Sequence, residues 1–126
     1  MISLQQGVDL VLHAFSDMVG GEIYVKKIPS MLVTDIAKAI APDAKHRIVG
    51  IRPGEKIHEQ MIGHEDAKYT FEYPDHYKIL PAIHGWYTDP KRVKNGVPVA
   101  PNFTYSSDNN SDWMSVNDLR RITKIM

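Results

Sequence analysis

The chain has 126 residues, a formal net charge of +0 from 15 basic and 15 acidic side chains, and no cysteine. This length allows one domain with one modest core, and 43% hydrophobic and 24% charged residues are typical of a soluble globular protein. The balanced charge gives no reason to expect nucleic acid or a membrane surface as partner, and the lack of cysteine excludes disulfides, thiolate catalysis and cysteine-bound zinc. No apolar run approaches a membrane span and the first residues do not resemble a signal peptide, so a cytoplasmic location is expected.

An amphipathic helix is predicted at the start of the chain. Ser3 and Gln6 have the spacing of a capping box, and Gly20-Gly21 provides the helix end. Between these signals apolar residues recur at helical spacing, at Leu4, Val8, Val11, Leu12 and Phe15. The pattern predicts one apolar face on this helix.

A strand, a helix and a second strand are predicted next. Residues 22–28 alternate as a strand, residues 33–40 repeat as a helix, and residues 46–51 alternate again up to Arg52. Strand, helix and strand over about thirty residues form the βαβ pattern. The sequence therefore predicts an α/β fold with a small unit of parallel strands joined by a right-handed crossover.

A β-hairpin and a last helix are predicted in the second half. Residues 68–73 and 76–80 are rich in aromatic and β-branched side chains around Pro74-Asp75. Residues 81–110 are expected to be mostly irregular, with a short strand at 96–99. Ser115 and Asp118 then begin a helix whose apolar positions are Val116, Leu119, Ile122 and Ile125. We find no internal repeat or long linker, which predicts a single domain over residues 1–126.

The stretch Gly50-Ile51-Arg52-Pro53-Gly54-Glu55-Lys56-Ile57-His58-Glu59 carries the candidate site. It is interpreted as a strand end, a Pro-Gly turn and a short helix from Glu55 to about residue 62. Strand ends and helix starts favour anionic ligands, the Arg52 guanidinium suits phosphate oxygens, and the Glu55 carboxylate suits sugar hydroxyls. This predicts a nucleoside-diphosphate site, although a surface ion pair at a helix start is the commoner arrangement of these residue types.

Other catalytic motifs are incomplete. His58 begins a zinc-protease-like pattern, but Ile62 stands where the second histidine is needed. Tyr87 and Lys91 have the spacing of a short-chain dehydrogenase pair, but a proline between them argues against the shared helix this pair needs. Gly20-Gly21 follows a helix and not a strand, so it is no dinucleotide-binding turn. On its own residues the chain shows no catalytic group, cofactor site or metal site.

Three segments together resemble a known family: Gly50 to Glu59, Glu22-Ile23-Tyr24-Val25, and Ser106-Ser107-Asp108-Asn109-Asn110-Ser111-Asp112-Trp113. The chain resembles the C-terminal portion of bacterial UDP-N-acetylglucosamine 4,6-dehydratases of the inverting kind. These are extended short-chain dehydrogenase/reductases of polysaccharide biosynthesis. The resemblance extends from about residue 2 to residue 126.

The resemblance implies that different parts of such a protein hold the cofactor and the sugar substrate. In the family, an N-terminal Rossmann domain holds NADP and the catalytic tyrosine and lysine, while a smaller C-terminal region binds the UDP-sugar. By this similarity Arg52 would contact the diphosphate and Glu55 the uridine ribose. The N-terminal domain has no counterpart in these residues, so the chain is expected to be fragment-like, to hold no cofactor itself and to be inactive alone. An excised domain, a truncated reading frame and half of a split enzyme remain open.

Three functions follow as alternatives. The first is a detached substrate-binding portion that binds UDP-sugars weakly. The second is an interaction or oligomerisation module that docks on a separate chain, such as a Rossmann-domain partner or a second copy, through apolar faces such as that of the first helix. The third is an enzyme completed in trans by a separate N-terminal half.

Overall fold

The computed structural model describes residues 2–123, which divide into two compact units. Residues 2–27 and 60–105 form the first, here called the sheet unit. Residues 28–59 and 106–123 form the second, here called the helix-pair unit.

The described residues contain six short strands. They are β1 (Ile23–Lys26), β2 (Gln60–Ile62), β3 (Thr70–Glu72), β4 (His76–Ile79), β5 (Val97–Pro98) and β6 (Tyr105–Ser106). In the sheet unit, β1, β4, β3 and β5 form a four-stranded sheet in that order, and every pairing is antiparallel. β2 pairs with β6 in a separate two-stranded sheet.

The described residues also contain four α-helices and two short 3₁₀ helices. The α-helices are α1 (Leu4–Asp17), α2 (Val33–Ile40), α3 (Pro90–Val93) and α4 (Val116–Thr123). Both predicted caps are confirmed: Ser3 and Gln6 bond reciprocally at the start of α1, and Ser115 and Asp118 do so at the start of α4. α2 packs against α4 in the helix-pair unit, where Leu119 is fully buried. Ile125, predicted for this last helix, lies outside the described residues.

The predicted hairpin is confirmed and forms the centre of the sheet unit. β3 and β4 pair in the register Thr70↔Ile79 to Glu72↔Tyr77, and the Tyr73 amide donates to the His76 carbonyl across the turn. All four residues of β4 are buried because β4 has a neighbour on both sides. The sheet unit's core consists of Val25, Ile62, Tyr77, Ile79 and Tyr105.

The fold is α/β as predicted, but its sheet is not the predicted parallel βαβ unit. Residues 46–51 form no strand, and Ile48 is 96% exposed. β1 instead pairs antiparallel with β4, some fifty residues later in the chain (Tyr24↔Lys78). An alternating apolar pattern produces a strand only where another strand supplies hydrogen-bond partners, and none of the described strands pairs with residues 46–51.

The short helix expected from Glu55 to about Ile62 is also wrong. Residues 55–59 are irregular, and Gln60–Ile62 is the strand β2. Ile57 and Met61 matched a helical face, but pairing with β6 outweighs this weak local periodicity. Glu55 consequently lies in a turn, without the dipole of a helix start.

The apolar face of α1 is exposed within the described residues. Leu4 is 87% exposed, Leu12 61% and Phe15 74%, and no residue of α1 is buried. The same face forms a shallow apolar groove of about 570 Å³ together with Ile2, Ser3 and Gly7. An amphipathic helix usually buries such a stripe, so this surface is available to another polypeptide.

Candidate functional site

Arg52 and Glu55 close a tight Pro-Gly turn in the helix-pair unit. The Glu55 amide donates to the Arg52 carbonyl at 3.1 Å, and Gly54 has φ +85°. Proline followed by a residue with positive φ is the signature of a type II turn, and glycine adopts that φ at no steric cost. The sequence-predicted residues are therefore brought together by their own local turn.

The two side chains also contact each other. The Arg52 backbone amide donates to Glu55 Oε2 at 2.8 Å, and Arg52 Nε lies 3.8 Å from Glu55 Oε1. Their side chains are 81% and 48% exposed, so water screens this ion pair and it contributes little to stability. The guanidinium keeps most of its donors in solvent, where an anion can reach them.

A segment from the C-terminal part of the chain lies beside the end of this loop. The Ser107 amide donates to the Glu59 carbonyl at 2.8 Å, and the Glu59 amide donates to Ser107 Oγ at 3.1 Å. Ser107 Oγ is also 3.5 Å from His58 Nδ1. A hydrogen bond from Ser106 lowers the pKa of the neighbouring Asp108 below its usual value, and the nearby His58 acts in the same direction.

Asn110 joins this segment to the residues that precede α2. Its amide group donates to the Ile28 carbonyl at 2.8 Å and to Ser30 Oγ at 3.0 Å. Its side-chain oxygen accepts from the Asp112 amide, and its carbonyl accepts from Trp113 Nε1. Sequence reasoning singled out residues 106–113 for their resemblance but assigned them no structural role.

Trp113 borders a cleft of about 310 Å³ in the same unit. The cleft is lined by Pro29, Asp112, Trp113, Met114, Asp118, Arg121 and Ile122. The indole is partly exposed, and Arg121 pairs with Asp118 at 2.5 Å. The cleft thus combines an aromatic surface with paired charges.

The Gly20-Gly21 turn does not fit a dinucleotide cofactor. The Glu22 carboxylate accepts hydrogen bonds from the amides of Val19 and Gly20 at 3.1 and 2.7 Å, so a protein anion already fills this turn. Arg92 Nη1 pairs with the same carboxylate at 2.7 Å. The turn leads into a strand, whereas a dinucleotide turn leads into a helix whose start binds the pyrophosphate.

The remaining sequence motifs are not assembled into a site. Tyr87 lies in the 3₁₀ helix Trp86–Thr88 and Lys91 in α3, so they do not share a helix. Within residues 2–123, no group of three or more histidine, cysteine, aspartate or glutamate side chains is arranged to hold a metal ion. None of the helices in that range combines the length and apolarity that a bilayer crossing requires.

Comparison with known proteins assigns the chain to a family. The family model described as "Polysaccharide biosynthesis protein" matches residues 1–81. A UDP-N-acetylglucosamine 4,6-dehydratase (inverting) from Campylobacter jejuni is 46% identical over 96% of this chain and 38% of its own length. A second from another strain of that species is 44% identical over 94% of this chain and 37% of its own length. The chain belongs to the polysaccharide biosynthesis protein family, and it corresponds to the C-terminal part of these dehydratases.

Two further proteins are similar to this chain, one in part of its sequence and one in its fold. A UDP-glucose 4-epimerase from Rickettsia massiliae is 36% identical over 63% of this chain and 24% of its own length. The X-ray structure of Pen from Bacillus thuringiensis superposes on all of this chain with a TM-score of 0.74, at 24% identity and over 36% of its own length. The chain therefore spans well under half the length of each of these proteins.

Proposed function

We propose that this chain is the UDP-sugar-binding portion of a UDP-N-acetylglucosamine 4,6-dehydratase of polysaccharide biosynthesis, and that it is not catalytic alone. The observation that supports this most directly is its 46% identity, over 96% of the chain, to a protein of that name. NADP and the groups that act on the sugar belong, in this proposal, to a part that corresponds to the rest of the relatives' length.

Arg52 and Glu55 are proposed as the ligand-binding pair. The Arg52 guanidinium is an exposed planar donor that suits a diphosphate, and Glu55 is an acceptor for ribose hydroxyls. Binding would exchange their weak contact with each other for charge-assisted hydrogen bonds to the ligand. Because this loop is open to solvent and forms at most one wall of a site, weak affinity is expected.

Titration with UDP-N-acetylglucosamine tests this proposal, by calorimetry and by NMR chemical shifts if affinity is millimolar. Arg52→Ala should weaken binding by about 1.5–3 kcal/mol, the value of a hydrogen bond to a charged group. Arg120→Ala is the matched control, because Arg120 is an exposed arginine of α4, away from the Arg52–Glu55 turn in sequence. No binding to the wild-type chain at millimolar ligand, or equal loss in both variants, would contradict the proposal.

A second candidate function is docking on a separate polypeptide through α1. The specific observation is the exposed stripe of Leu4, Val8, Val11, Leu12 and Phe15. Since the chain spans 38% of the length of its dehydratase relative, the proposed occupant is a polypeptide equivalent to the remaining N-terminal part. Covering this stripe would remove apolar surface that otherwise favours association.

Mixing the chain with a separately expressed N-terminal part of the Campylobacter jejuni relative tests this docking. Light scattering should show a complex that Phe15→Glu weakens, while Ser16→Glu, which adds the same charge outside the stripe, leaves it intact. A wild-type chain that stays monomeric in the mixture would reject the idea. A concentration-dependent dimer of the chain by itself would instead identify a second copy as the occupant.

A further inference from the structure

The Arg52–Glu55 turn is held by hydrogen bonds between its own residues, on a long irregular segment. Residues 41–59 follow α2, and all of them are exposed. The hydrogen bonds between Arg52 and Glu55 fix the shape of the turn but not its position relative to the rest of the helix-pair unit. A ligand that contacts both side chains binds more tightly when that position is fixed beforehand, because ordering a mobile loop on binding costs affinity.

The C-terminal end of this segment is fastened at Ser107. Ser107 and Glu59 exchange two hydrogen bonds, one between their backbones at 2.8 Å and one from the Glu59 amide to the Ser107 hydroxyl at 3.1 Å. The hydroxyl oxygen also lies 3.5 Å from His58 Nδ1. Glu59 is four residues from Glu55, so the fastening point is close to the candidate site along the chain.

The segment that contains Ser107 is also hydrogen-bonded to the residues that precede α2. Asn110, three residues on, bonds to Ile28 and Ser30 immediately before α2, at 2.8 and 3.0 Å. The Ser30 amide donates to the Asp112 carbonyl, and the Met114 amide donates to the Ser30 carbonyl. Residues 106–114 therefore form a brace between the start of α2 and the end of the exposed segment.

We propose that Ser107 is a positioning residue, which sets the place of the Arg52–Glu55 turn by holding the end of the segment that carries it. This inference rests on the proposed function of that pair in UDP-sugar binding. The Ser107 hydroxyl contacts the Glu59 amide and lies near His58 Nδ1, so in this proposal it acts through Glu59 and His58. This proposal gives a role to residues 106–113, which the sequence analysis identified only as one of the segments that resemble the dehydratase family.

Three variants test the proposal: Ser107→Ala, Ser107→Thr and Ser111→Ala. Ser107→Ala removes the hydroxyl that accepts from Glu59, Ser107→Thr restores a hydroxyl, and Ser111→Ala is a matched change at an exposed serine of the same segment. Hydrogen exchange of single amides is measured by NMR, and UDP-N-acetylglucosamine binding is measured on the same samples.

In Ser107→Ala, exchange at the Glu59 and Glu55 amides should accelerate about three- to tenfold, as expected for one lost hydrogen bond. The Leu119 amide, which bonds to the Ser115 carbonyl in the core of the same unit, should not change, which separates positioning from general loss of stability. UDP-N-acetylglucosamine binding should weaken about three- to tenfold. Ser107→Thr and Ser111→Ala should behave as the wild type.

The two proposals fail in different ways. If Ser107→Ala binds as the wild type while Arg52→Ala does not, the positioning role is wrong and the proposed function stands. If the wild-type chain binds no UDP-sugar, the proposed function fails. The hydrogen-exchange rate of the Glu55 amide then tests, without any ligand, whether Ser107 holds the turn in position. Unchanged exchange at Glu55 in Ser107→Ala overturns the anchoring in either case.

Discussion

Lys78 Nζ lies 2.7 Å from Asp17 Oδ2, and the Lys78 side chain is 1% exposed. Lys78 is on the central strand β4 and Asp17 is the last residue of α1, so this pair joins the helix to the sheet within the sheet unit. Lys94 Nζ and the Tyr24 hydroxyl also donate to the Asp17 carboxylate. The ammonium lies 4.8 Å from the centre of the Tyr73 ring, which adds a cation–π contact.

Removing Lys78 should be strongly destabilising. Lys78→Met keeps most of the apolar stem but leaves the Asp17 carboxylate without its buried partner, and breaking such a pair costs about 3–5 kcal/mol. Urea denaturation at pH 7 measures the change in the free energy of unfolding. Lys26→Met is the matched control, since the Lys26–Asp75 pair is similarly short but more exposed and should contribute about 1 kcal/mol or less. Equal losses in the two variants would contradict this account.

The Asp17 carboxylate should make the free energy of unfolding depend on pH in the acidic range. Burial opposes ionisation of Asp17, but hydrogen bonds from Lys78, Lys94 and Tyr24 outweigh it and hold its pKa well below the ordinary value of 3.8. A depressed folded-state pKa stabilises the protein above the unfolded-state pKa, and this contribution is lost as the pH falls through 3.8 toward the folded-state pKa.

Asp17→Asn cannot titrate at this position, so comparing it with the wild type isolates the contribution of the Asp17 carboxylate. The free energy of unfolding should be higher in the wild type than in Asp17→Asn at pH 7, and the difference should shrink between about pH 5 and pH 2. Chemical denaturation at a series of pH values gives both curves. A difference that stays constant over this range would show that Asp17 is not the responsible group.

Asn110 should be a stability determinant of the helix-pair unit. Asn110→Ala removes three side-chain hydrogen bonds, to Ile28, Ser30 and Asp112, and should lower the free energy of unfolding by about 2 kcal/mol. Asn117→Ala, at an exposed position of α4, is the control and should be neutral or slightly stabilising, because alanine favours helix. Thermal unfolding of both variants checks the prediction, which fails if Asn110→Ala unfolds at the wild-type temperature.

Two glycine substitutions should have opposite signs. A Cβ at Gly96 would lie 2.5 Å from the Tyr73 ring and hydroxyl and 3.0 Å from Phe71 Cβ, so Gly96→Ala should destabilise by about 1–3 kcal/mol. Gly7 is inside α1, where a Cβ would meet its nearest neighbour at 3.9 Å, so Gly7→Ala should stabilise by about 0.5–1 kcal/mol. Thermal melts of the two variants would refute the steric argument if both shifts had the same sign.

Most predictions from short-range signals were confirmed. The Ser3–Gln6 and Ser115–Asp118 caps form, and the hairpin around Pro74-Asp75 has the expected strands. Each of these features is decided by residues close in the chain, through a cap, a turn or an adjacent strand. The Arg52–Glu55 turn is also decided by adjacent residues, so the closeness of Arg52 to Glu55 could be predicted from the sequence.

Predictions of which distant segments pair with each other were wrong or missing. Residues 46–51 alternate like a strand, but β1 takes β4 as its neighbour instead. Ile57 and Met61 have helical spacing, but pairing with β6 extends Gln60–Ile62 as a strand. No local pattern indicated that Ser107 would fasten Glu59, because the two residues are 48 positions apart.

By itself, the sequence determined helices α1, α2 and α4, the hairpin, the family resemblance and the turn that brings Arg52 beside Glu55. These depend on interactions over a few residues, which a linear pattern records. Only the tertiary structure decided that the sheet is antiparallel, that the Arg52–Glu55 turn is open to solvent, and that Ser107 and Asn110 brace the segment carrying it. The choice of strand partner depends on which distant segments bury the most apolar surface and satisfy each other's backbone groups, and that competition involves the whole chain at once.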